Sequence, residues 1–302
     1  MPATSRRTVA LLEVAAGAVL ISFSPVWVKL AGVDPSVAAF YRVFLGGLVL
    51  WLLVGIRRRG AVASAATVAI TGVLGLVLAL DLTVWHRSIG YVGPGLATIL
   101  GNFQVFLLAA FGLMFLGERL TTRFLIAVLA AMAGLFLMFG LGWDQLSRDY
   151  KLGVLLGLLT ALLYGGFLLG LRRIQSGPNP PQPIATVAWL SLTASVALGV
   201  AIVTSGGSFA IPDVRTGLAL AAYGIVTHVV AWVLISDGLP QIETSRAGLI
   251  LLLQPSLAFV WDVVLFHRAT KPTEVLGAVM ALVAIYLGAV GGKRMVRDGE
   301  GR

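Results

Sequence analysis

Apolar residues run through this chain in blocks of about 20, and short breaks between the blocks hold nearly all of the charge and most of the proline. A helix needs a block of about that length to cross the hydrocarbon core of a bilayer. Cutting at the breaks predicts ten spans: Val9 to Val28, Val37 to Ile56, Ala65 to Val84, Gly95 to Leu116, Phe124 to Leu141, Leu152 to Leu171, Ile184 to Thr204, Gly217 to Ile235, Ala247 to Phe266 and Val275 to Val290. The first is preceded by Arg6 and Arg7 in the manner of a signal peptide. Its apolar stretch is too long for one and lacks a cleavage site, so it reads as an uncleaved span.

Composition agrees: with 58% hydrophobic and 12% charged residues, and a mean hydropathy of +0.96, polar surface is too scarce to cover a water-soluble globule. The net charge of +9 does not indicate nucleic acid, because the basic residues sit in twos and threes between apolar blocks with no interleaved aromatics. They report topology instead. With the N-terminus inside, thirteen lysines and arginines, among them Arg6, Arg7, Arg57 to Arg59, Arg172, Arg173 and Lys293, are cytoplasmic, against seven outside. The excess expected of cytoplasmic loops puts both termini there. The expected location is the cell inner (plasma) membrane. Zero cysteines exclude disulfides, thiolate metal sites and cysteine nucleophiles.

The chain also repeats itself. The stretch LLAAFGLMFLGERLTTRFLIAVLAAMAGLFLMF and the later FVWDVVLFHRATKPTEVLGAVMALVAIYLGAV share a plan of apolar run, charged break and apolar run. An offset of 149 places Arg119 on Arg268, Thr121 on Thr270 and Ala131 on Met280. Five spans precede the Trp143 to Lys151 loop and five follow it. An odd number forces the second copy to enter the membrane with opposite polarity. The expected fold is an all-α polytopic membrane protein of ten transmembrane helices, arranged as two inverted five-helix repeats around a central cavity. Residues 1–142 form the first repeat, 143–151 the connection, 152–292 the second repeat and 293–302 a cytoplasmic tail.

An offset of 147 aligns LALDLTVWHRSIG with IVTHVVAWVLISDG, so that Asp81 falls on His228 and Trp85 on Trp232. Each pair is spaced i, i+4 and shares a helix face. Ionisable groups inside a span face a bundle interior or a wet cavity. Two readings stay open: substrate-facing walls, or hydrogen bonds to neighbouring helices with interfacial tryptophans. A small zwitterion requires an acceptor for its ammonium, donors for its carboxylate and an apolar surface. Asp81 could accept; His228, Asn102 and Gln104 could donate; Trp85, Trp232 and Tyr164 offer aromatic faces. Ser22 and Ser24 lie just before Pro25, which removes a backbone donor and can kink the span toward a cavity. Gly93, Pro94 and Gly95 in GYVGPGLA, with Pro25 and Pro255, are candidate hinges. Gln254 is paired with Val105 by the repeat offset and ranks lower. Arg42 is assigned to lipid or to a helix end.

These residues resemble the drug/metabolite transporter superfamily, in particular its ten-helix EamA-type exporters, which include YddG-like amino-acid exporters. The resemblance covers nearly the whole chain. FLGERLTTRFLIAVLAAMAGLFLMFG is similar to the family's junction of fourth and fifth helices, and LLQPSLAFVWDVVLFHRAT to its second copy, with Pro255 as the helix breaker. VDPSVAAFYRVFLGGLVLWLL, through Pro35 and Arg42, resembles the second helix. Two departures stand out: Phe106 occupies the position of the first-half proline, and His267 replaces Glu118 in the second half. Glu118, Arg119 and Arg123 are expected to mark a membrane–water boundary and to fix depth. The resemblance implies export of small metabolites, amino acids first, by alternating access and facilitated diffusion. The only small-multidrug-type acid is Glu13, which lies near the cytoplasmic end of its span.

Within transport the alternatives are proton-coupled drug or metabolite efflux and a sugar or nucleotide-sugar carrier, although phosphates would call for basic residues deep in several spans. No HExxH, GxSxG, paired intramembrane aspartates or phosphate loop supports an intramembrane enzyme. No cofactor, metal or nucleic-acid partner is expected. The partners are a small-molecule substrate and the lipid bilayer, and the working unit is a monomer.

Overall fold

The computed structural model describes residues 3–57, 64–117, 121–139, 147–177, 180–267 and 271–290, and they are helical almost throughout. The first half contains α1 (Ala3–Ser22), α2 (Ser24–Ala31), α3 (Pro35–Arg57), α4 (Ala65–Gly101), α5 (Gln104–Phe115) and α6 (Thr122–Phe139). The second contains α7 (Arg148–Gln175), α8 (Pro183–Thr204), α9 (Val214–Ala222), a π-helical stretch at Tyr223–Val230, α10 (Ala231–Gly238), α11 (Thr244–Leu251), α12 (Leu253–Phe266) and α13 (Pro272–Val290). Seven spans are long and apolar enough to cross a membrane, and the shorter apolar helices at Gln104–Phe115, Thr122–Gly134 and Val275–Ala284 fall where the remaining predicted spans lie. Large apolar side chains such as Leu52, Val73, Leu129, Val196 and Leu276 stand exposed around the outside. That is the surface expected against lipid.

The 37 residues of α4 are not one straight rod. A Cβ built on Gly157 would lie 2.7 Å from Leu100 Cβ and 3.1 Å from Ser88 Oγ. A straight helix would separate Ser88 from Leu100 by about 18 Å. Gly153 touches Tyr91 and Val92, while further along α7 Gly165 meets Leu107 and Gly170 meets Leu74. The two arms of α4 therefore run in opposite senses beside α7, and the chain reverses near Gly93, Pro94 and Gly95 while keeping helical hydrogen bonding. The expected third and fourth spans are these two arms, the second continuing into α5.

The repeats interlace. Gly238 at the end of α10 packs on Ala10 and Val14 of α1, and Gly17 meets Ala231 and Ile235. The first and third spans of the opposite repeats make the corresponding contact, Gly153 and Gly157 of α7 against the first arm of α4. The second spans, α3 and α8, cross antiparallel, with Phe40 against Gly199 and Gly47 against Ser191. Equivalent helices meeting antiparallel are what an axis in the membrane plane produces. At the far end α6 and α13 come so close that a Cβ on Gly134 would lie 2.5 Å from the Gly277 carbonyl oxygen.

The two positive-φ residues that follow α5 and α12, Gly117 at 63° and His267 at 50°, show the register directly. They are one residue further apart than the offset of 149, so His267 takes the place of Gly117 rather than of Glu118. The same shift sets Gln254 opposite Gln104. Glu118 and Arg119 lie outside the described residues.

Candidate functional site

Three helix interruptions converge on one place. Pro25 has no N–H for the Ile21 carbonyl, and α1 stops at Ser22 before α2 resumes at Ser24. Pro255 cannot serve Leu251, and α11 stops there. The first repeat achieves its break without proline. Asn102 turns its side-chain Nδ2 back to the Thr98 carbonyl at 2.7 Å, the i−4 bond that loosens a helix, and α4 gives way to α5 across Asn102 and Phe103.

Between these interruptions lies a cavity of about 100 Å³, room for several waters. Its wall takes Ser22, Ser24 and Pro25 from the α1–α2 break, Arg42 from α3, Asp81 and Trp85 from the first arm of α4, and Asn102 from the α4–α5 break. The other repeat supplies Thr160 and Tyr164 from α7, Trp232 from α10 and Gln254 from α12.

Most of the candidates read from the sequence are thus brought together: Asp81, Trp85, Asn102, Tyr164, Trp232, Ser22 and Ser24. Two are not among the lining residues. Gln104 is fully buried one residue past the α4–α5 break, and neither amide atom has a hydrogen-bond partner among the described residues. His228 is fully buried elsewhere, its Nε2 2.7 Å from Ser191 Oγ and its Cδ2 beside Gly46. Ser191 Oγ also donates to the Val187 carbonyl, so it accepts from His228, whose ring proton then sits on Nε2. The π-helical turn explains the divergence from Asp81. A π turn holds an extra residue and so shifts the register against a regular α-helix, and His228 faces Gly46 of α3 and Ser191 of α8 while Trp232 faces the cavity.

The roles differ in detail from the sequence reading. Asn102 donates one amide N–H to the Thr98 carbonyl, and its own carbonyl oxygen Oδ1 is an acceptor without a partner among the described residues. Ser22 is engaged in both senses: its hydroxyl donates to the Val19 carbonyl and accepts from Trp261 Nε1 at 2.7 Å, while Trp261 stacks on Phe23 with centroids 4.5 Å apart. Ser24 Oγ has no hydrogen-bond partner among the described residues. Trp232 stands edge-on to Tyr164 and Phe167, with ring centroids at 6.1 and 5.0 Å. Glu13 lies beside Gly238, toward the α10 end of α1, and is not part of the cavity wall.

Sequence reasoning did not name Thr160, ranked Gln254 low and assigned Arg42 to lipid or a helix end, and all three line the cavity. Arg42 is 6% exposed, far from a lipid or helix-end role, and its guanidinium lies 5.2 Å over the Tyr223 ring with Nη1 3.4 Å from the Tyr223 hydroxyl. The available signal was depth: α3 starts at Pro35, which places Arg42 two turns in. Gln254 donates from Nε2 to the Tyr164 hydroxyl at 3.1 Å. Thr160 shares a face of α7 with Tyr164 by its i, i+4 spacing, which no repeat comparison highlighted.

The cavity therefore joins the carboxyl group of Asp81, the guanidinium of Arg42 and indole faces at the meeting of two inverted repeats. This is the architecture of a membrane transporter. The comparisons with known proteins agree. The model of the EamA-like transporter family matches twice, over residues 8–140 and 151–289, and the chain belongs to that family. It is 24% identical over 234 residues, 72% of this chain and 77% of the relative, to a protein named probable amino-acid metabolite efflux pump from Escherichia coli (strain K12). It is 26% identical over 286 residues, 86% of each chain, to the uncharacterized transporter YcbK from Bacillus subtilis (strain 168). One crystal structure superposes with a TM-score of 0.78 at 18% identity, over 92% of this chain and 95% of that one, a likeness of fold.

Proposed function

We propose that this transporter exports a small amino acid or a closely similar zwitterion by alternating access. The observation that carries the reading is the presence of Arg42 and Asp81 in one buried wall. Each charge is costly in a low-dielectric interior, and a ligand with an ammonium and a carboxylate can meet both at once. Arg42 receives the carboxylate and Asp81 the ammonium, while Trp85, Trp232 and Tyr164 enclose the side chain. The name of the Escherichia coli relative supports the same substrate class.

In this reading, repeats 1–142 and 152–292 rock about the interrupted helices in the inner membrane, with both termini in the cytoplasm. One copy suffices, and the substrate's own gradient drives flux. Glu13 is away from the cavity wall, so no coupling proton is assigned to it. Proteoliposomes give the test. Labelled amino acids are expected to enter saturably, with no dependence on an imposed proton gradient, and Asp81→Asn and Arg42→Gln each reduce flux by roughly tenfold or more. Wild-type protein that moves no amino acid would overturn the assignment of substrate.

A further inference from the structure

We propose that Asp81, Asn102 and Thr160 form a subsite selective for a primary ammonium group, one that rejects N-methylated analogues. The inference deepens the amino-acid reading and rests on it for the ligand's carboxylate, but not for its nitrogen.

Each of the three side chains lines the cavity, is at least nine-tenths buried, and has an oxygen with no hydrogen-bond partner among the described residues: Asp81 Oδ1, Asn102 Oδ1 and Thr160 Oγ1. The orientation of Asn102 follows from its neighbour. The Thr98 carbonyl can only accept, so the amide nitrogen must face it, and Oδ1 is the end left over. Thr160 is unusual in the same respect. Buried Thr227 donates its hydroxyl to the carbonyl four residues earlier, whereas Thr160 has no such partner.

Among the described residues, the other side-chain groups without partners in the same wall are the Ser24 hydroxyl, Arg42 Nε and Trp232 Nε1, all of which can donate. They suit the other end of the ligand. A buried acceptor left unmatched is costly, so with the Ser24 hydroxyl turned to the carboxylate end, the oxygens of Asp81, Asn102 and Thr160 favour a ligand group that brings three donors. A primary ammonium has three N–H bonds. Each methyl group removes one and leaves an oxygen buried without a partner, and a quaternary nitrogen satisfies none. Discrimination by missing hydrogen bonds is stronger than discrimination by an added methyl group alone.

The experiment is exchange of a labelled primary amino acid by the full-length protein in proteoliposomes, competed by its N-methyl, N,N-dimethyl and N,N,N-trimethyl forms and by a parallel series of simple alkylamines without a carboxylate. Competition is expected to weaken by roughly tenfold with each N–H lost. Thr160→Val, which keeps shape while removing the hydroxyl, and Asn102→Leu are expected to narrow the ratio between primary and dimethylated ligands. The Thr160 variant keeps the test decisive should loss of the Thr98 contact unfold the other. Equal competition across the methyl series, or an unchanged ratio in Thr160→Val, overturns the subsite. If the alkylamines show the methyl dependence and amino acids compete no better than they do, the subsite stands and the zwitterion reading falls. If no amine competes at all, both fall.

Discussion

Asp213 ends the loop before α9 and accepts the Thr216 N–H at 2.7 Å, closing the first turn of the helix. That backbone hydrogen bond is the main reason its carboxyl is held below the ordinary carboxylate value. The sign follows from linkage: a depressed folded pKa adds stability above the unfolded value, and this is lost as pH falls through the folded one. Protection of the Thr216 amide, its exchange rate relative to the intrinsic rate at the same pH, should thus be high at neutral pH and fall on acidification. In Asp213→Ala protection should be low at both. Exchange in the variant equal to wild type at neutral pH would contradict the cap. Inside the membrane the legible residues were those whose chemistry is out of place. An aspartate or tryptophan in an apolar span announces itself, and Asp81, Trp85 and Trp232 were found that way. Arg42 was misread because arginine so commonly snorkels that its distance from the start of α3 was discounted. Thr160 could not be distinguished by type, since most helical threonines satisfy themselves on their own backbone.

At the level of elements, close helix contacts make definite demands. A side chain at Gly134 would meet the Gly277 carbonyl oxygen at 2.5 Å, backbone that cannot step aside. Gly134→Val should part α6 from α13 and lower stability by about 1–3 kcal/mol, read as a reduced thermal midpoint in detergent. An unchanged midpoint would mean the two helices do not pack so tightly. Ser191 and His228 join α8 to the π-helical turn. A double-mutant cycle with Ser191→Ala and His228→Leu should give a coupling of about 0.5–1.5 kcal/mol. Additive effects would remove that bond. Most helices were legible because length and apolarity alone define a span. The reversal in α4 was legible too, through Gly93, Pro94 and Gly95. The π turn was not: it adds one residue without changing composition, and pairing His228 with Asp81 silently assumed regular helix. The same kind of single-residue slip displaced Gln254 from Gln104.

For the whole molecule, the antiparallel crossing of α3 with α8 and the exchange of first and third spans between halves require that equivalent segments traverse the bilayer in opposite senses. The absence of cysteine from the sequence makes this directly measurable, since any thiol introduced is the only one present. Ser36 follows the first span of the first repeat and Ser176 follows the first span of the second, and both are exposed. In intact cells a membrane-impermeant thiol reagent should label Ser36→Cys. It should reach Ser176→Cys only after the membrane is opened. That pattern also fixes the absolute orientation expected from the excess of arginine on one side, with Arg172 and Arg173 next to Ser176 on the cytoplasmic face. Labelling of both from the same side would contradict the inverted arrangement. Labelling of Ser176→Cys alone in intact cells would keep the arrangement and reverse the orientation. Arg7 and Glu243 pair at 2.9 Å on the side where Ser176 lies, joining α1 to the turn before α11, so the same reagents read gating as well. Glu243→Gln should raise the labelling rate of a cysteine at Gln254 from the Ser176 side, because an ion pair that helps to tie the repeats together there is removed. An unchanged rate would assign the Arg7–Glu243 pair to stability rather than to closure.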